Sequence, residues 1–188
     1  RGDTARVEFR CGRRALLDYR QKNDLMLSLA ASLTVGYWEV PDALERLRTE
    51  NQGLRRDLRG LRESLIKAEA ERLWEQAARR DGYALVSHPF EGRDVAEVRL
   101  IAQHLIAHPA TVALCAAAGD KAQLIAARSD ELPFDMVDVL KHGLAAWGVD
   151  RGGGRPSFAQ GGGVRADLDA AAAALAAAVQ ALERQSEG

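Results

Sequence analysis

Cysteine is nearly absent: Cys11 and Cys115 are the only two in 188 residues. Spaced about a hundred positions apart, they form neither a disulfide framework nor a metal-ligand motif. A reducing, cytoplasmic setting is the expectation. Long hydrophobic runs are missing too. The most apolar stretch, Ala170–Val179, is mostly alanine and falls short of the roughly 18 residues a membrane helix needs. Net charge is lacking as well, with 26 Lys+Arg against 27 Asp+Glu and a balance of −1. That excludes a globally basic nucleic-acid binder. Before Arg1-Gly2-Asp3 there is no initiator Met and no signal-peptide pattern, so the chain reads as a piece of a longer protein.

Catalytic signatures are equally scarce. Neither Ser87 nor Ser157 sits in a nucleophile-elbow neighbourhood, and the carboxylates are scattered over helix faces. His104 and His108 have the i, i+4 spacing that can grip a metal. Neither Cys115 nor His142 lies at motif spacing from that pair, so two solvent-edge histidines are the expected reading. The sequence predicts no catalytic residue, no metal ligand and no cofactor in this chain.

What is present is unevenly distributed. Residues 1–80 carry 17 Lys and Arg against 13 Asp and Glu, whereas residues 81–188 carry 9 against 14. The basic half, dominated by arginine, can face phosphates or form a salt-bridged helix surface. Within it, Arg6–Arg10 alternates as a short strand, and Ala15–Leu33 is predicted to be a helix with Tyr19, Met26, Ala30 and Leu33 on one side. Gly36 and Pro41 punctuate a turn.

From Asp42 to about Arg80 runs the strongest helical signal. Leu44, Asn51, Leu58 and Leu65 occupy heptad position a, and Leu47, Leu54, Leu61 and Ala68 occupy d. Such a seam must pack on something. Either Ala15–Leu33 folds back to make an antiparallel hairpin, or two copies pair with Asn51 fixing the register. A hairpin with some dimerisation at its uncovered end is the favoured expectation.

After Asp81-Gly82 the elements become short and mixed. Strands are predicted at Tyr83–Phe90 (ended by Pro89), Thr111–Ala117 and Gln123–Ala127, the last two joined by a hairpin turn at Gly119-Asp120-Lys121. Helices are predicted at Asp94–Ala107, Phe134–Trp147 and Asp167–Gln185, the last with an apolar stripe of Leu168, Ala172, Leu175, Val179 and Leu182. The expected architecture is α+β or α/β: a helical hairpin or coiled-coil arm over 15–80, then a small layered α/β domain over 81–188.

The most distinctive stretch is the glycine-rich segment from Gly152 to Gly163. Gly152, Gly153 and Gly154 stand on one side of Arg155, Phe158 and Gln160, and Gly161, Gly162 and Gly163 on the other. Glycine lets a backbone approach a ligand closely, Arg155 suits a phosphate or a base plane, Phe158 offers stacking, and Gln160 can read a hydroxyl or base edge. The helix expected near Asp167 adds a positive dipole end. Neither a Walker nor a dinucleotide spacing is present, which argues against ATP and NAD.

This segment, Arg155-Pro156 followed by Phe158-Ala159-Gln160-Gly161-Gly162-Gly163, closely resembles the signature of the DHH-associated domain. That domain occurs in alanyl-tRNA synthetases, stand-alone alanyl-tRNA editing proteins and DHH phosphoesterases. Arg6–Arg10 with Gly12 and Ala15 looks like the exit from an editing domain, making residues 1–14 its residual strand. Asp18–Leu47 is similar to the helical linker of those proteins. The family's zinc-binding pairs, His-x-x-x-His and Cys-x-x-x-His, lie upstream of this region. The resemblance therefore implies a non-catalytic module that contacts tRNA, of the alanine type, and forms a homodimer through the arm. Zinc would belong to the parent's editing domain. It also implies that Gly152, Gly153, Gly154, Arg155, Phe158, Gln160, Gly161, Gly162 and Gly163 face the RNA, while Leu44 to Leu65 of the heptad pack helices. The substrate-binding part of a DHH-type phosphoesterase acting on nucleotides or oligonucleotides is the alternative.

Overall fold

A computed structural model describes residue 9 and residues 11–186; the expected strand at Arg6–Arg10 lies outside the described residues. The protein has an α+β fold in which helices come first and a five-stranded mixed sheet follows. It divides into two compact units, the first ending at Gly60 and the second beginning at Leu61.

In the first unit, helix α1 spans Gly12–Leu33 and ends at Thr34, whose backbone takes the left-handed conformation with φ 56°. A single 3₁₀ turn at Tyr37–Glu39 follows, held by the Gly36 N–H donating to the Glu39 carboxylate at 2.8 Å. Helix α2 then runs Val40–Glu75. The predicted intrachain hairpin does not form. Helix α1 packs on the 3₁₀ turn, burial among the described residues of this unit is confined to Ala30, Val40 and Ala43, and the leucines from Leu16 to Leu29 and from Leu44 to Leu58 stay exposed. The turn brings together small side chains only, which leaves nothing to zip the two helices along their lengths.

Two glycines, Gly53 and Gly60, lie inside α2, and a Cβ at either meets nothing within 4 Å. Glycine in a helix interior loses more backbone entropy than alanine on folding. Gly53→Ala and Gly60→Ala are each expected to stabilise the helix by about 1 kcal/mol. A rise in helical circular dichroism and in thermal midpoint tests this, and no change in either would contradict it.

The second unit is a layered domain whose strands β1 (Ala78–Arg80), β2 (Tyr83–Glu91), β3 (Thr111–Arg128), β4 (Gly152–Arg155) and β5 (Phe158–Ala166) lie in the order β1-β2-β3-β5-β4. Strand β1 (Ala78–Arg80) occupies the end of the stretch predicted as helix, and pairs antiparallel with β2 (Tyr83–Glu91). Strand β2 passes through Pro89 rather than stopping there. The Ala84 N–H donates to Ala110 across the β3 side at 2.7 Å, so by alternation Pro89 turns its missing N–H toward the edge that β1 leaves open. Proline is tolerated at such an edge.

Strand β3 is one 18-residue element, Thr111–Arg128, in place of the predicted hairpin. Its first half pairs parallel with β2 and its second half antiparallel with β5 (Phe158–Ala166). The Gly119-Asp120-Lys121 segment is absorbed as an irregularity, with register shifts between Gly119 and Gln123. The two halves find different neighbours, so there is no reason for them to turn back on each other.

Alternation along β3 builds both layers of the core. Val112, Leu114, Ala116, Leu124 and Ala126 face helices α4 (Met136–Ala145) and α5 (Leu168–Ser186). Ala113, Cys115, Ala117 and Ile125 face helix α3 (Val95–Leu105) and the end of α2 through Ile66, Ala70 and Leu73. Burial on both faces explains why the strand reads as an unbroken apolar run. Burial also pushes the Cys115 thiol up to about 12, leaving it a packing residue. Asp94 and Asp135 cap α3 and α4 by accepting from the Ala96 and Val137 N–H at 3.1 and 2.9 Å. The apolar face of α5 is shifted from the predicted stripe. Ala171, Ala174, Ala178 and Ala181 are buried with Leu175 and Leu182, whereas Ala172 is exposed. Alanine lets the helix lie close to the sheet, and its low hydrophobic contrast hides the phase.

Candidate nucleic-acid interface

The glycine-rich segment is a β-hairpin, not a loop. Strand β4 (Gly152–Arg155) pairs with β5 through a Pro156-Ser157 turn, with Gly152 opposite Gly161, Gly153 opposite Gln160 and Arg155 opposite Phe158. The turn is anchored from below. The Met136 N–H donates to the Pro156 carbonyl at 2.9 Å, and the Arg128 N–H to the Ser157 carbonyl at 3.0 Å. The Arg128 side chain in turn ties down the loop before α4, donating to the Phe134 carbonyl at 2.6 Å. Arg155 and Phe158 thus stand on a fixed platform.

Strand alternation divides the predicted RNA-facing residues between two faces. Gly152 and Gly161 pack toward α4: a Cβ at either would come within 2.7 Å of Leu144 Cδ1. Gly162, at φ 138°, backs directly onto the Ala122 carbonyl oxygen, so its role is a close backbone crossing. Gly163 has open space around it. The opposite face gathers Gly153, Gly154, Arg155, Phe158 and Gln160 around one open cavity of about 400 Å³. Gly154, at φ 157°, lies against the Phe158 carbonyl, where any side chain would collide with the partner strand.

A sixth residue, Arg99 from α3, completes the cavity. Its guanidinium carbon lies 5.4 Å from the centre of the Phe158 ring, a cation–π distance. Sequence reasoning missed it, because Arg99 sits amid the polar face of an ordinary amphipathic helix. Only the packing of α3 on β3, the strand next to β5, brings it to the hairpin. Phe158 itself is half-buried against the α3 layer.

Polar chemistry converges on Gln160. Its Oε1 is buried and accepts no hydrogen bond among the described residues. A buried amide oxygen without a donor carries a desolvation cost of about 1–3 kcal/mol, which a ligand N–H or O–H in the cavity would relieve. With two guanidinium groups, one aromatic face and one hungry acceptor, the site suits an anionic group joined to a flat hydrogen-bonding one. Phosphate takes the guanidinium forks and a base plane takes the ring.

The two histidines do not form a metal centre with other ligands. His108, beyond the end of α3, stacks on Trp74 with ring centroids 4.3 Å apart and pairs with Glu71 at 3.3 Å. Trp74 Nε1 donates to Thr111 Oγ1 at 3.0 Å, and Arg93 bridges Glu69 and Glu97 at 2.5 and 3.3 Å. These contacts fasten the end of α2 to the domain. Among the described residues, no three His, Cys, Asp or Glu side chains converge as a metal site. Among the described residues, no helix is long and apolar enough to cross a membrane.

No protein-family model matches the chain. Among curated proteins, it is 34% identical over 172 residues to the alanine–tRNA ligase of Salinispora tropica, covering 86% of this chain and 19% of that protein. It is 31% identical over 183 residues to the enzyme of Jannaschia sp., covering 95% and 20% respectively. The Magnetococcus marinus enzyme matches at 31% over 162 residues, covering 84% and 18%. Among solved structures, the C-Ala domain of Aquifex aeolicus alanyl-tRNA synthetase is 27% identical with a TM-score of 0.43, covering 56% of this chain and 93% of that one. RecJ from Thermus thermophilus is 18% identical with a TM-score of 0.47, covering 81% and 26%. The chain spans about a fifth of the length of the curated relatives it matches. Over most of its residues, this chain is a homologue of one segment of the alanine–tRNA ligases.

Proposed function

We propose that the chain is a non-catalytic tRNA-binding and dimerisation module of a cytoplasmic alanine–tRNA ligase-like or alanyl-tRNA editing protein. Its role is to hold tRNA, of the alanine type, in place for zinc-dependent hydrolysis of mischarged tRNA elsewhere in the parent. The observation that carries this reading is the unpartnered Gln160 Oε1 in a cavity flanked by Arg99, Arg155 and Phe158. An unpaired nucleotide meets all three demands at once. Its base lies on the Phe158 ring, a base N–H donates to Gln160, and its phosphates take the guanidinium groups. The arginines of the helical arm add attraction that needs no sequence. The curated relatives are named as ligases of alanine to tRNA, which fits the same class of ligand.

Filter binding of the chain to alanine tRNA between 50 and 200 mM salt tests this. Affinity is expected to fall steeply, by about ten-fold or more, because each neutralised phosphate releases counterions. A flat affinity over that range, or none at low salt, would exclude the reading.

A further inference from the structure

Arg99 is an exposed cation with no acid to hold it. Its neighbours one turn away on α3, at i±3 and i±4, are Val95, Ala96, Ala102 and Gln103, so the helix offers it no ion pair. Glu97, two residues before it, is taken by Arg93 at 3.3 Å. Among the described residues, no ion pair engages Arg99 or Arg155. What Arg99 meets instead is the Phe158 ring, with its guanidinium carbon 5.4 Å from the ring centre.

That contact sits where a base would stack. Phe158 packs partly against the α3 layer of the core, and the rest of the ring faces the cavity that Arg99 also lines. A neutral base settling on the ring must displace the guanidinium, and offers it nothing in return but water. A nucleotide brings a phosphate with the base. A guanidinium that leaves the ring for a phosphate exchanges a cation–π contact for charge-assisted, forked hydrogen bonds, which are the stronger of the two. Arg155, directly across the hairpin from Phe158, supplies a second fork to the same anion.

From this geometry we infer that Arg99 is a specificity gate: it covers the Phe158 ring until a phosphate draws it off, so the cavity selects nucleotides and discriminates against neutral nucleosides. The inference rests on the reading of the cavity as a nucleotide site and adds the order of preference among its ligands. Base and phosphate bind cooperatively, because the phosphate frees the ring and the base keeps Arg99 from returning to it.

The test is titration of the full chain with adenosine and with adenosine monophosphate, followed by nuclear magnetic resonance, in the unaltered protein and in Arg99→Met and Arg155→Met. Methionine keeps an apolar stem of similar length and removes the charge. The unaltered chain is expected to bind the monophosphate about ten-fold or more tighter than adenosine. In Arg99→Met the ring is free, so adenosine binds about three-fold tighter. The monophosphate there loses one fork and gains the open ring, for a net weakening of about three-fold. Arg155→Met weakens the monophosphate about ten-fold and leaves adenosine unchanged, because Arg155 does not cover the ring. Adenosine bound equally or more weakly by Arg99→Met than by the unaltered chain overturns the gate, since Arg99 would then help to hold the base. Failure of every chain to bind either probe overturns it as well. Filter binding of alanine tRNA to the same preparations decides separately whether the reading of the chain as a tRNA-binding module stands.

Discussion

Gly162→Ala is expected to destabilise the sheet domain by roughly 3–5 kcal/mol. Gly162 sits at φ 138°, where a side chain is strained, and its Cβ would run into the Ala122 carbonyl oxygen. That oxygen belongs to β3 at the register shift between Ala122 and Gln123, so it is backbone and has no rotamer through which to escape. The neighbouring N–H of Gly162 donates to Arg151 at 3.0 Å, which holds β5 from the other side. Gly163→Ala is the internal control. Its φ of 100° imposes a similar strain, yet nothing lies within 4 Å of its Cβ, so roughly 1–2 kcal/mol is expected. Urea unfolding of the two variants separates backbone collision from conformational strain. Equal losses would show that the crossing at Ala122 has slack.

Removing both guanidinium groups of the cavity, Arg99→Ala with Arg155→Ala, is expected to weaken tRNA binding about 100-fold at low salt. The slope of log affinity against log salt should fall by about 1.4–1.8, because each lost phosphate contact removes about 0.7–0.9. Both residues are exposed at their tips and carry no core packing, so thermal stability should hardly change. Arg99 has a second part in this. It lies over the Phe158 ring, and a base entering the cavity must share or displace that contact. Arg99→Ala alone should therefore affect binding less than Arg155→Ala, since it also frees the ring for stacking. Two single variants with equal losses and unchanged slopes would mean that the phosphates sit elsewhere, on the arginines of the arm.

Local signals account for much of the architecture. The existence and approximate extent of α3, α4 and α5 are visible within a few residues, because amphipathicity acts over one or two turns. The same holds for the heptad of α2 and the residue content of the glycine-rich hairpin. Failures came where one residue pattern serves two partners. Helix α2 carries Leu61 and Leu65 on one side and Ile66, Ala70 and Leu73 on another. Only the second set joins the core of the sheet domain, and no local signal along the helix separates it from the first. Strand β3 misled for the same reason, since each half has its own neighbour and the glycine between them marks a change of partner.

The candidate site shows the division most clearly. Sequence alone determined the chemical inventory of the hairpin, Arg155, Phe158, Gln160 and glycine on either side, because residue type and spacing are all that inventory needs. It also determined the a and d positions of the heptad, since a helix converts spacing directly into faces. Tertiary structure decided which glycines line the cavity and which serve packing, because the pleat sends neighbours to opposite faces. It also brought Arg99 within reach of Phe158 across more than fifty residues of chain, and it left the Gln160 oxygen buried without a partner. Those outcomes depend on non-local packing of α3 on β3, the neighbour of β5 in the sheet, which no window along the chain contains.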